Sequence, residues 1–160
     1  MNTDTWYMQQ ALQEAQKAYD CDEVPIGAVV IDAQGQIIGR GYNQVQSFCS
    51  QQAHAECRAI GEAGHLLQDW RLIECTLFVT LEPCGMCMEL IYLSRIKRVV
   101  FGASSPLFGY RLDKAGQVQL YKRDIICVDG NILERESAHL LKQFFSKKRK
   151  EKSDWGKKES

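Results

Sequence analysis

The sequence predicts a three-layer α/β/α domain built on a mixed sheet of about five strands. Three patterns carry that prediction: an apolar strand–turn–strand run near the start, a strand–helix–strand alternation over residues 72–101, and amphipathic segments at both ends.

Residues 5–19 place Trp6, Tyr7, Ala11, Ala15 and Ala18 near one face at helical spacing, which predicts a first helix. Pro25 to Ile31 is short, apolar and β-branched, and reads as a buried strand. Asp32-Ala33-Gln34-Gly35 supplies turn chemistry, and Gln36 to Tyr42 returns as the second strand of a hairpin. A polar loop follows, then a helix from His54 to about Gly64. Leu72 to Leu81 predicts a third strand. Pro83 then opens a helix through about Ser94, since its fixed φ and missing N–H suit a first turn. Arg98 to Gly102 predicts a fourth strand and Asp124 to Val128 a fifth. Ile132, Leu133, Ser137, Leu140, Leu141, Phe144 and Phe145 mark an amphipathic last helix. The alternation around residues 72–101 implies a parallel pair with a right-handed crossover. The helix opened by Pro83 should therefore start at the carboxyl end of a strand, where open α/β sheets place their sites.

A chain of 160 residues fits one domain, and a domain of that size buries roughly 70% of its unfolded surface. Residues 1–146 are expected to form it, with 147–160 as a basic, flexible tail. A composition 45% hydrophobic and 25% charged excludes disordered and fibrous classes. Apolar runs fall far short of the ~18 residues a membrane helix needs, and the amino terminus lacks a basic start ahead of an apolar core. The expected compartment is cytoplasmic.

Twenty basic and twenty acidic side chains hide an asymmetry: from Lys142 to Ser160 there are eight basic and three acidic residues. Such a tail on an acidic body either attracts a phosphate backbone or is a solvated end. Within it, Lys147, Lys148, Arg149 and Lys150 are the candidate RNA contacts.

Seven cysteines without an export signal suggest core residues, metal ligands or catalytic thiols rather than disulfides. Cys84-Gly85-Met86-Cys87 is the single C-x-x-C pair. At the start of a helix both sulfurs can face one way, and the helix amino terminus favours thiolate. Alone, the pair is compatible with metal binding, redox chemistry or a core role. The three histidines are His54, His65 and His139. His65 and His139 read as surface residues, whereas His54 stands two residues ahead of Glu56 at a helix start. Joined with the downstream Pro-Cys-x-x-Cys, His54 supplies the third ligand of a catalytic zinc site, which keeps its fourth position open for water. Cys57, three residues beyond His54, could instead close a four-ligand structural site. A carboxylate at position 56 favours the open form, because a structural site has no use for a proton carrier.

His54-Ala55-Glu56 together with Pro83-Cys84-Gly85-Met86-Cys87 resembles the zinc-dependent nucleobase deaminases, whose pattern is H-x-E followed by P-C-x-x-C. Val24-Pro25-Ile26-Gly27-Ala28-Val29, Gly41-Tyr42-Asn43, Thr76 to Cys84 and Ser94 to Ala103 resemble, more narrowly, the bacterial branch of that superfamily that converts adenosine to inosine at the tRNA wobble position. The likeness runs to about Arg149. It implies a cytidine-deaminase-like fold, one Zn²⁺ per subunit held by His54, Cys84 and Cys87, and Glu56 as the proton shuttle. It further implies a base held by Asn43 and by Val24, Pro25 and Ile26, tRNA as the partner, and a homodimer. In this class zinc-activated water attacks the ring carbon bearing the amino group and ammonia leaves.

One stretch departs from the branch. Where an acidic residue and a Lys-Thr-Gly-Ala-Ala-Gly-like loop are usual, this chain has Ser104 to Asp113, with Phe108 and Tyr110 as residues that either stack on bases or pack inward. The alternatives to the tRNA reading are a deaminase of a free base or nucleotide (cytosine, guanine, cytidine, deoxycytidylate) and a zinc-stabilised binding module closed by Cys57.

Overall fold

A computed structural model describes residues 3–110 and 127–158. In chain order the elements are α1 (Thr3–Asp20), β1 (Gly27–Ile31), β2 (Ile37–Tyr42), α2 (Val45–Phe48), a 3-10 turn (Gln51–Ala53), α3 (Ala55–Leu67), β3 (Thr76–Leu81), α4 (Gly85–Leu93), β4 (Arg98–Ala103), β5 (Cys127–Asp129) and α5 (Glu134–Lys158). The five strands form one sheet in the order β2-β1-β3-β4-β5. β1 is antiparallel to both β2 and β3, while β3–β4 and β4–β5 are parallel.

Period-two alternation sorts the sheet residues into two cores. Ala28, Val30, Leu77, Val79, Val99 and Phe101 point to α3 and α4, where Ala59, Ala63, Met88 and Ile91 close the layer. Val29, Ile31, Phe78 and Val100 point the other way, to Met8 and Ala11 of α1 and to Ile132 and Leu133 ahead of α5. Because both faces are covered, β1 is buried at every position. This is the expected three-layer sandwich, with a mixed five-stranded sheet.

Several boundaries differ from the sequence reading, each for a local reason. β3 begins at Thr76 rather than Leu72, since the Cys75 N–H donates to the Leu72 carbonyl in a turn. α4 begins at Gly85, with Cys84 in extended conformation as its N-cap, so Pro83 lies before the helix. The polar loop after β2 contains α2 and the 3-10 turn. β5 covers Cys127–Asp129; residues 124–126 of the predicted fifth strand, like 111–113 of the divergent loop, lie outside the described residues.

The last helix does not stop at residue 146 but continues through Lys158. Lys and Glu are good helix formers, and Lys147 and Lys148 reach Glu151 one turn on. Residues 147–158 therefore prolong a helix of the domain. No helix among the described residues is long and apolar enough to cross a membrane.

Two glycines fix where α3 lies. A Cβ on Gly39 would sit 2.2 Å from the Ala59 carbonyl oxygen, and one on Gly41 would sit 2.4 Å from that of Ala55. Spaced by two, both face the same side of β2 and let the backbone of α3 lie directly on the strand.

Candidate metal centre and substrate cavity

One end of the sheet gathers the chemistry. The register Gly27↔Tyr42 and Leu81↔Ala103 brings the start of β1 beside the ends of β2, β3 and β4. The segments leaving that edge carry Val24–Ile26, Asn43, Glu82–Cys84 and Ser105. The amino termini of α3 and α4 meet there as well.

His54 is the N-cap of α3 and Cys84 that of α4, both in extended conformation, and Cys87 lies one turn into α4. Each cap side chain is released from its own helix and aimed at the other. The His54 Nδ1 is 3.8 Å from Cys84 Sγ and 3.4 Å from Cys87 Sγ. All three donor atoms lie within 4.8 Å of one another. Zinc bonds of ~2.3 Å to sulfur and ~2.1 Å to nitrogen at tetrahedral angles put donors roughly 3.6–3.8 Å apart, so the cluster fits the ion. Two soft sulfurs and an imidazole are also the donor set that suits it. Cys57 Sγ touches Cys87 Sγ at 3.9 Å but is not part of the mutually close set. The geometry is thus that of three donors, not four.

Proton positions follow the crowding. Hydrogen bonds from Cys87 and His54 hold the Cys84 thiol down to about 4. Cys87, sharing hydrogen bonds with Cys57 and Cys84, is pushed up. His54 is raised by its bond to Cys84 and Glu56 by its burial at 4% exposure. A carboxyl buried in this way, beside the three donors, is placed to take a proton and to return it.

Above the cluster lies a cavity of about 570 Å³ whose walls include Val24, Ile26, Asn43, Glu56, Cys84, Met86 and Phe108. Val24 and Ile26 face it, while Pro25 between them is buried and does not line it, as alternation along an extended segment requires. The Asn43 Nδ2 donates to the Val24 carbonyl at 3.1 Å, which ties the two walls together.

Two carboxylates that the motif reading passed over shape this cavity. Glu23, 1% exposed, accepts from the Gln46 and Ser47 N–H groups at 3.1 and 2.7 Å and from the Ser47 hydroxyl at 2.8 Å, pinning the start of α2. Glu82 accepts from the Ser105 N–H at 3.0 Å. Their only signal in the sequence was position, immediately ahead of Val24-Pro25 and of Pro83-Cys84.

The basic residues lie elsewhere. Lys148 pairs with Asp22, and Lys147 stands 3.9 Å from the same carboxylate, against the end of α1. Lys147 and Lys150 line a surface groove with Tyr19 and His139, not the cavity by the metal cluster. His65 and His139 are exposed, as expected.

Metal donors and a buried acid at the floor of a cavity define a metal-dependent hydrolase by their chemistry. The chain belongs to the cytidine and deoxycytidylate deaminase zinc-binding family, whose profile matches residues 1–103. A tRNA-specific adenosine deaminase of Bacillus subtilis is 42% identical over 154 residues, covering 95% of this chain and 94% of the relative. One of Streptococcus pyogenes serotype M1 is 40% identical over 150 residues, covering 92% and 86%. A solved structure from work on A-to-I editing by tRNA:A34 deaminases superposes with a TM-score of 0.76 at 36% identity, covering 85% of this chain and 99% of that one. A guanine deaminase of Nitrosomonas europaea, at 22% identity and TM-score 0.73, covering 88% and 83%, shares the fold.

Proposed function

We propose that this chain deaminates adenosine to inosine at the wobble position of a tRNA anticodon, with water as co-substrate and ammonia as product. The observation that carries the chemistry is the buried Glu56 beside the His54–Cys84–Cys87 cluster, at a cavity lined by both polar and apolar side chains. Relatives named for tRNA adenosine, similar over nearly the whole chain, support the substrate.

His54, Cys84 and Cys87 hold the zinc, which supplies acidification of a water molecule when bound. Glu56 takes the proton that this water must lose and delivers it to the ring nitrogen adjoining the reacting carbon. It then takes the second proton from the hydroxyl added to that carbon and passes it to the departing amine, which leaves as ammonia. Burial helps the first of these steps, because a carboxyl whose pKa is raised takes up a proton more readily. Asn43 and the side chains of Val24 and Ile26 hold the flipped base, with Pro25 stiffening the segment that carries them. Lys147, Lys148, Arg149 and Lys150 add electrostatic attraction for the RNA backbone.

The protein acts in the cytoplasm as a homodimer. Trp70, Ile73 and Leu93 are 60%, 63% and 57% exposed, and Arg71 and Arg95 lie over the Trp70 ring, which leaves apolar surface that a second copy would cover. The decisive experiment incubates purified protein with total tRNA and reads A-to-I changes by sequencing, with cytidine, cytosine and guanine as competing substrates. Inosine at one anticodon position is the expected result; turnover of a free base alone would replace the tRNA reading.

A further inference from the structure

We propose that Phe108 is a stacking platform for the nucleobase adjoining the one that reacts, an inference that rests on the reading of the substrate as RNA. The ring lines the substrate cavity yet is 74% exposed. Among the described residues it has no aromatic or cationic neighbour, so no packing contact of that kind accounts for a large apolar side chain there.

The backbone beneath it is held firmly. Glu82 accepts the Ser105 N–H at 3.0 Å, the Phe108 N–H reaches the Ser105 hydroxyl at 3.4 Å, and the Gly109 N–H reaches the Ser105 carbonyl at 3.1 Å. The Tyr110 N–H then donates to the Pro83 carbonyl at 2.9 Å, directly beside the metal-bearing helix, and the Tyr110 ring is buried in the core. A Cβ on Gly109 would sit 2.5 Å from Glu82 Oε2, so the turn closes onto that carboxylate only as glycine. Ser105 and Tyr110 thus anchor the loop, and Phe108 stands at its free apex.

A base that enters the cavity must be unstacked from its neighbours, and the strand leaves over the rim. An aromatic ring fixed at that rim restores the lost stacking for either purine or pyrimidine, since every base has a π-face.

The test measures inosine formation on an anticodon stem-loop RNA, intact or with an abasic site on the 5′ or 3′ side of the reacting adenosine. For the wild-type chain, one abasic substitution should raise KM about tenfold, the size of one base–aromatic stack. Phe108→Leu should raise KM on intact RNA by about the same factor with kcat little changed. The abasic RNA should then cost that variant nothing more, and Phe108→Trp should restore the wild-type values. An unchanged KM in Phe108→Leu overturns the proposal, as does an undiminished abasic penalty in that variant or a failure of tryptophan to rescue. Wild-type protein that forms no inosine in the RNA overturns the substrate reading and this inference with it, whereas inosine with an unmoved KM overturns the stacking alone.

Discussion

The Nδ1 of His54 lies 3.4 Å from the Sγ of Cys87 although 33 positions separate them in the chain. Two helix starts converge to make that contact, and Glu56 is buried within the first turn of one of them. The proposed ligands and the proposed proton carrier therefore separate cleanly by substitution. Glu56→Gln should keep one zinc per chain and lower inosine formation by about 10²–10⁴-fold. His54→Ala should lose the metal itself. Zinc analysis beside the rate on tRNA checks both; full activity in Glu56→Gln would end the proton-shuttle role.

Cys57 tests whether the site is open. Its sulfur touches Cys87 at 3.9 Å but stands outside the three-donor set. Cys57→Ala should retain stoichiometric zinc and a rate within a few-fold of the wild type. Metal loss in that variant, measured after dialysis against a weak chelator, would instead mark Cys57 as a fourth ligand and the site as structural.

The layers were readable in the sequence because β1, β3 and β4 are short apolar runs whose neighbours are amphipathic, and burial on both faces leaves that mark. The donors were readable because helix starts impose short, fixed spacings on ligands. Glu23 and Glu82 were not: they accept from backbone N–H groups of Gln46, Ser47 and Ser105, which side-chain identity cannot announce, and Glu23 from one hydroxyl besides. Nor was the length of α5, because a run of lysines reads alike as a solvated tail and as an exposed helix until Glu151 and Asp22 are seen to pair with it.

Arg98 joins three elements, donating to both oxygens of Asp4 at 3.0 and 2.7 Å and to Asp129 at 2.8 Å. The guanidinium holds the Asp4 carboxyl below its ordinary value. A depressed carboxylate contributes stability that is fully present above its unfolded pKa of about 4 and is lost as pH falls through the lower folded value. Asp4→Asn should thus cost on the order of 1 kcal/mol at pH 7. Urea titrations should show the difference from wild type shrinking below about pH 4. A gap that stays constant from pH 7 to pH 3 would rule out the pair as its source.

The basic end of α5 carries charges of two kinds. Lys147 and Lys148 face Asp22 and Glu151, whereas Arg149 and Lys150 have no ion pair among the described residues. Neutralising the second pair should matter more to a polyanion. Arg149→Gln with Lys150→Gln should weaken tRNA binding and make the slope of log K against log[salt] shallower by about 1.4, taking ~0.7 per charge. Zinc content should not move. An unaltered slope would remove these residues from the RNA contact.

Gly41 decides whether α3 can present His54 at all. An added Cβ would lie 2.4 Å from the Ala55 carbonyl oxygen and 2.6 Å from the Ala59 nitrogen, both backbone atoms that cannot swing aside. Gly41→Ala must therefore push the helix off the strand, and the push falls on the turn adjoining His54. Such overpacking costs about 1–3 kcal/mol, and displacement at a ligand costs metal affinity as well. Gly61, on the same helix, has open space around its Cβ position. Gly61→Ala should match or slightly exceed wild-type stability, since alanine is the better helix former. Thermal melts with and without zinc distinguish the two: Gly41→Ala should melt lower and gain less from added zinc, while Gly61→Ala should respond to the metal as the wild type does. Equal zinc-induced shifts in both variants would show that the close approach of β2 to α3 does not set the ligand geometry.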